Sequence, residues 1–70
     1  WGDDEMKIIG WCLNKKIEIS IMPDWKDQLN NWKIDIKINK KIFTDPNRYE
    51  DDKVLDKVYE YYKYYYEKYI

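Results

Sequence analysis

Seven of the eleven residues from Tyr59 to Tyr69 are tyrosine, and their spacing limits what the rest of the chain can be. At about 100° per residue on a helical wheel, Val54, Leu55, Val58, Tyr62, Tyr65 and Tyr69 step by three and four and share roughly a third of the circumference. They form the core face of a helix running from about Asp51 nearly to the C-terminus. The acidic stretch Glu50-Asp51-Asp52 suits the positive end of that helix. Tyr59, Tyr61 and Tyr66 lie at the edges of the face, where a ring packs inward while its hydroxyl reaches water. Tyr64 falls among Lys53, Lys57, Glu60, Lys63, Glu67 and Lys68 on the solvent side.

A helix with one broad aromatic face needs a sheet to cover. Trp32-Lys-Ile-Asp-Ile-Lys-Ile38 alternates at period two, with Trp32, Ile34, Ile36 and Ile38 toward the core and Lys33, Asp35 and Lys37 away. The runs Met6–Leu13 and Ile17–Ile21 read as two further strands, and residues from Lys41 to Thr44 as a short one. Leu13-Asn-Lys-Lys-Ile17 recurs as Ile38-Asn-Lys-Lys-Ile42, which predicts two similar hairpins with Asn supplying the left-handed backbone. Between them, Pro23 to Leu29 has the pattern of a helical turn with Trp25 and Leu29 on one side. Asp45-Pro46-Asn47 marks a turn before the helix. The expected fold is α+β: an antiparallel meander of three to four strands with one long C-terminal helix packed on one face. Residues 1–5, Trp1 to Glu5, read as a flexible leader and residues 6–70 as a single small domain.

Seventy residues make a thin core, worth roughly 3–5 kcal/mol of net stability. Four Trp, eight Tyr and Phe43 answer that limit, because each large aromatic buries about 150–250 Å². Cys12 is the single cysteine and there is no His, which excludes an intrachain disulfide framework, the usual zinc sites and His-based acid–base chemistry. Neither a signal peptide nor an apolar run of membrane-spanning length is present. A reducing, cytoplasmic setting is expected, in the cell of origin or a host cell. Ile, Lys, Asn and Tyr supply half the chain, Lys outnumbers Arg twelve to one, and Ala is missing. These preferences match AT-rich codons, as in a low-GC bacterium or one of its phages or viruses.

Chemistry is poorly provided for. Ser20 and Thr44 have no His or apparent Lys base, Gly2 and Gly10 cannot make a phosphate loop, and the carboxylates lack metal-loop spacing. No catalytic residue, cofactor or metal is assigned. Binding fits better. Successive turns of a meander alternate between its ends, so the two Asn-Lys-Lys turns are expected together, clustering Lys15, Lys16, Lys40 and Lys41. Lys33 and Lys37 extend that charge down the open sheet face, offset by Asp35. The same lysines would also serve solubility and block edge pairing. Tyr64 and Trp25 are the aromatic anchor candidates, with Trp25 also fitting a lid over the helix end. If Met6 to Leu13 is a strand, both its faces are apolar, implying a central position or a homo-oligomer surface on the open face.

The function expected from these features is a non-catalytic protein-binding module. In kind it resembles a small phage- or virus-derived inhibitor that occupies the surface of a host protein or defence system, as anti-CRISPR proteins do. The alternative is a nucleic-acid-binding module using the lysine-bearing turns and open face; with a net charge of −1, it would depend on local clustering.

Overall fold

A computed structural model describes residues 2–24 and 31–70. Two helices and three strands follow one another as α1 (Asp3–Asn14), β1 (Ile17–Pro23), β2 (Trp32–Ile38), β3 (Lys41–Thr44) and α2 (Asp51–Tyr69). The strands form one antiparallel sheet in the order β1-β2-β3, so the α+β meander with a long C-terminal helix is the fold of the chain. The helical turn expected from Pro23 to Leu29 falls largely on residues 25–30, outside the described residues. Pro23 itself ends β1 opposite Trp32.

The alternation of β2 does what period two requires. Ile34 and Ile36 are buried, Trp32 and Ile38 are half-buried against them, and Lys37 is exposed. β2 and β3 form a tight hairpin in which Ile38 and Lys41 are partners across the two turn residues Asn39 and Lys40. Asn39 takes the left-handed conformation, φ 51°, which its short polar side chain tolerates.

The segment Met6–Leu13 is not a strand. It lies inside α1, which begins at Asp3, so Asp3, Asp4 and Glu5 form a helical first turn rather than a leader. The Glu5 carboxylate accepts the Gly2 N–H, and Met6 N–H donates to the Gly2 carbonyl at 3.0 Å. Three acidic side chains there also complement the positive helix end. Ile8, Ile9, Trp11 and Cys12 then step along one helical side, with Ile9 and Cys12 buried and Met6 and Leu13 exposed. The apparent two-faced strand is a helix stripe, so Met6–Leu13 places no apolar residues on the open face of the sheet.

The core joins Ile9 and Cys12 of α1, Ile17 and Ile19 of β1, Ile34 and Ile36 of β2, and Val54, Val58 and Tyr62 of α2. Both helices pack against β1, and α2 also reaches β2, but neither packs on β3. Tyr59, Tyr61 and Tyr66 lie half-buried at the core margin, as does Tyr65. Leu55 and Tyr69, expected in the core, are each 52% exposed, because the sheet beneath α2 is narrower and shorter than the helix. Asp45 ties the middle of that helix, through Tyr61, and the segment before it, through Tyr49, to the end of the sheet. Its buried carboxylate accepts the Asn47 N–H at 2.8 Å, the Tyr49 hydroxyl at 2.7 Å and the Tyr61 hydroxyl. Burial would raise the pKa of Asp45, but the Tyr61, Asn47 and Tyr49 donors and the Lys57 charge outweigh it and hold the carboxyl below its ordinary value.

Candidate partner-binding surface

The two Asn-Lys-Lys segments meet, although only one is a hairpin turn. Lys15 and Lys16 close α1 and lead into β1, and there Lys16, not Asn14, is left-handed at φ 65°. The Asn39 N–H donates to the Lys16 carbonyl at 3.0 Å, joining the α1–β1 connection to the β2–β3 turn. Lys16, Lys40 and Lys41 line one groove of about 1130 Å³, together with Lys37 and Lys68. Its apolar lining comes from Leu13, Ile38, Phe43, Tyr65 and Tyr69, and Glu18 is the one acidic lining residue. The groove exists because α2 does not pack on β3: Phe43 on the strand and Tyr65 and Tyr69 on the helix line the space left between them.

Lys15 sits beside this groove, its Nζ 5.8 Å from the Trp11 ring, and lines an adjoining recess with Ile17, Tyr69 and Ile70. Lys33 lies elsewhere. It is four residues up β2 from Lys37, roughly 13 Å away at the rise of a strand, and half-buried. The face it shares with Lys37 is mixed rather than basic, since Glu18 pairs opposite Lys37 and Ser20 opposite Asp35. Thr44 Oγ1 donates to Asp35 at 2.9 Å. Trp25 lies outside the described residues. Tyr64 is 56% exposed but not isolated, with its ring edge-to-face on Tyr65 at 5.1 Å and the Lys68 Nζ at 5.7 Å. Lys68 also lies 5.4 Å from the Tyr69 ring, which stacks on Tyr65 at 6.3 Å. Tyr64 is therefore continuous with the groove wall.

Sequence reasoning missed Ile42 and Phe43, which are 65% and 54% exposed on β3. A signal was present, because Lys41-Ile-Phe-Thr44 does not alternate: its adjacent apolar pair must point one residue to each face, so a single covering helix could bury at most one.

The two edges of the sheet are treated differently. Across a two-residue hairpin, Ile38 and Lys41 exchange backbone bonds and every second pair does likewise; Asp45 N–H donating to the Ile34 carbonyl at 2.9 Å keeps that alternation. On β1, the groups of Ile19 consequently face outward. The Tyr62 hydroxyl satisfies both, accepting the Ile19 N–H at 3.0 Å and donating to its carbonyl at 3.3 Å. On β3, Ile42 and Thr44 direct their backbone groups outward, and among the described residues no strand or helix covers them.

Cys12 and Arg48 are occupied by structure. Cys12 is buried, donates to the Tyr62 carbonyl at 3.3 Å, and has its thiol pKa pushed up by burial, the opposite of what a reactive thiolate needs. Arg48 holds Asp24 at 2.6 Å and the carbonyls of Asp45 and Asn47. Among the described residues, no helix is long and apolar enough to cross a membrane. The chain matches no protein-family model, no curated protein and no solved structure.

Proposed function

We propose that the chain is a non-catalytic protein-binding module that engages its partner at the β3 end of the sheet. The supporting observation is the contrast between edges: both helices pack against β1 and Tyr62 takes up the outward groups of Ile19, whereas β3 has no helix against it and presents outward-facing backbone groups beside exposed Ile42 and Phe43. Exposed edges of this kind accept added strands from partners. Small size and AT-rich composition favour a phage- or virus-encoded inhibitor acting on a host protein, in the manner of anti-CRISPR proteins, inside the host cell.

A nucleic-acid-binding reading draws on the same groove, where five lysines lie beside Phe43, Tyr65 and Tyr69, a combination that suits phosphates and stacked bases. It is the weaker reading. The groove contains Lys rather than Arg, and the adjoining open face pairs Glu18 with Lys37.

Affinity capture from lysate, with and without nuclease, separates the two. The unaltered protein should retain a nuclease-insensitive protein that a folded Ile42→Asp/Phe43→Ser variant loses. Retention by both forms, or capture abolished by nuclease, overturns the proposal.

A further inference from the structure

We infer that the occupant of the β3 edge is an extended acidic segment of the partner, added as a fourth strand with two adjacent apolar residues against Ile42 and Phe43 and carboxylates at the lysine-bearing turn. This rests on the protein-binding reading and specifies the chemistry of the same surface. Two observations carry it together. The outward groups of Ile42 and Thr44 include both N–H donors and carbonyl acceptors, and the segment that matches such an alternation is another peptide backbone. A nucleic-acid backbone offers phosphate acceptors and leaves those carbonyls unmatched.

Charge supplies the second constraint. Lys40 and Lys41 occupy the turn end of β3, with Lys16, Lys37 and Lys68 around the same groove and only Glu18 opposing them. Side chains of an added strand alternate faces. Antiparallel to β3, a segment Thr-Val-Val-Glu-Glu-Glu sets Thr opposite Thr44, the valines opposite Phe43 and Ile42, and the first Glu opposite Lys41. The following carboxylates reach the Lys40 turn. A second copy of this chain is disfavoured as occupant, because antiparallel to itself β3 sets Lys41 opposite Phe43 or the buried, already hydrogen-bonded Asp45 and brings no free carboxylate to the Lys40 turn.

The test uses the full chain and a labelled Thr-Val-Val-Glu-Glu-Glu peptide in fluorescence anisotropy. Three probes accompany it: the same peptide with Lys for Glu, a form N-methylated at the second valine, and oligothymidylate. The acidic peptide should bind, the Lys peptide and the N-methylated form should bind far more weakly, and Lys40→Glu/Lys41→Glu should weaken the acidic peptide roughly tenfold while gaining the Lys peptide. That exchange of preference cannot come from misfolding. Equal binding of the Lys peptide overturns the acidic assignment but leaves the protein-binding reading intact. Equal binding of the N-methylated form overturns strand addition. Oligothymidylate binding without any peptide binding overturns both readings, and sedimentation of the free protein as a dimer through β3 identifies a second copy as the occupant.

Discussion

The hydroxyl of Tyr62 supports a sharp prediction, because Tyr62→Phe removes one oxygen while keeping the ring that fills the core. Tyr62 is 5% exposed and Ile19 8%, so water has little access to the two backbone groups the substitution strands. A buried donor or acceptor left unpaired costs roughly 1–3 kcal/mol. The Ile19 N–H, at 3.0 Å from the hydroxyl, bears most of that loss; the carbonyl bond is longer, at 3.3 Å. The expected loss is about 2 kcal/mol, a large share of the roughly 3–5 kcal/mol a domain of this size holds. In urea, with a slope of about 1 kcal/mol/M for a small chain, the unfolding midpoint should fall by about 2 M. Tryptophan fluorescence reads that midpoint. Native-state hydrogen exchange should show the Ile19 amide losing protection beyond the global change. Tyr64→Phe is the control, expected within about 0.5 kcal/mol of the parent because it alters an exposed side chain. If Tyr62→Phe also falls within that range, the hydroxyl does not satisfy the outward groups of Ile19, and the contrast between β1 and β3 loses its hydrogen-bonded part.

Gly10 sits inside α1 with nothing within 4 Å of where a Cβ would project, so Gly10→Ala should raise stability by about 0.5–1 kcal/mol in the same urea titration; a loss would mean that the space is not open. Burial, aided at Tyr49 and Tyr61 by the Asp45 carboxylate, raises Tyr49, Tyr61, Tyr62 and Tyr65 above the ordinary tyrosine value of 10.0. A phenol raised in the folded state contributes stability that is complete below its unfolded value and lost as pH climbs through the folded one. The protein should therefore lose stability as pH rises above 10.0, with a late tyrosinate absorbance component that moves to the ordinary range in urea; coincident native and denatured titration curves would refute this.

The legible parts of the fold were those where one period dominates. β2 alternates without exception over seven residues, and α2 combines an acidic start with apolar steps of three and four. α1 was misread because Ile8-Ile9-Gly-Trp-Cys-Leu13 satisfies a two-sided strand and a short helix alike. The acidic rule that located α2 also applied at Asp3-Asp4-Glu5 and would have decided the matter. The shared location of the Asn-Lys-Lys segments survived that error, since Lys16 and Asn39 meet through a backbone bond whether α1 or a strand precedes them. Wheel positions gave the face of α2 but not the extent of sheet beneath it, so Leu55 and Tyr69 were assigned to a core that does not reach them. The edge contrast was illegible because it joins Ile19 to Tyr62 across 43 positions, and no local pattern encodes such a contact.

The tyrosine run divides by depth along α2 rather than forming one aromatic surface. Tyr61, with Tyr49, satisfies a buried Asp45; Tyr62 stands in for a neighbouring strand; Tyr65 and Tyr69, with Tyr64 beside them, wall the lysine groove. A phenol suits each task because it carries a large apolar ring with a polar tip, letting a short chain satisfy the outward groups of Ile19 without a further strand. That economy stops at β3, where among the described residues no aromatic cap covers the outward groups of Ile42 and Thr44. Short length and Lys41 are the features that blunt the edge there. Lys41 does so selectively, since a lysine beside a strand edge attracts a carboxylate-bearing strand, so under the proposed binding mode the residue that blunts the edge is also the one that would favour an acidic segment.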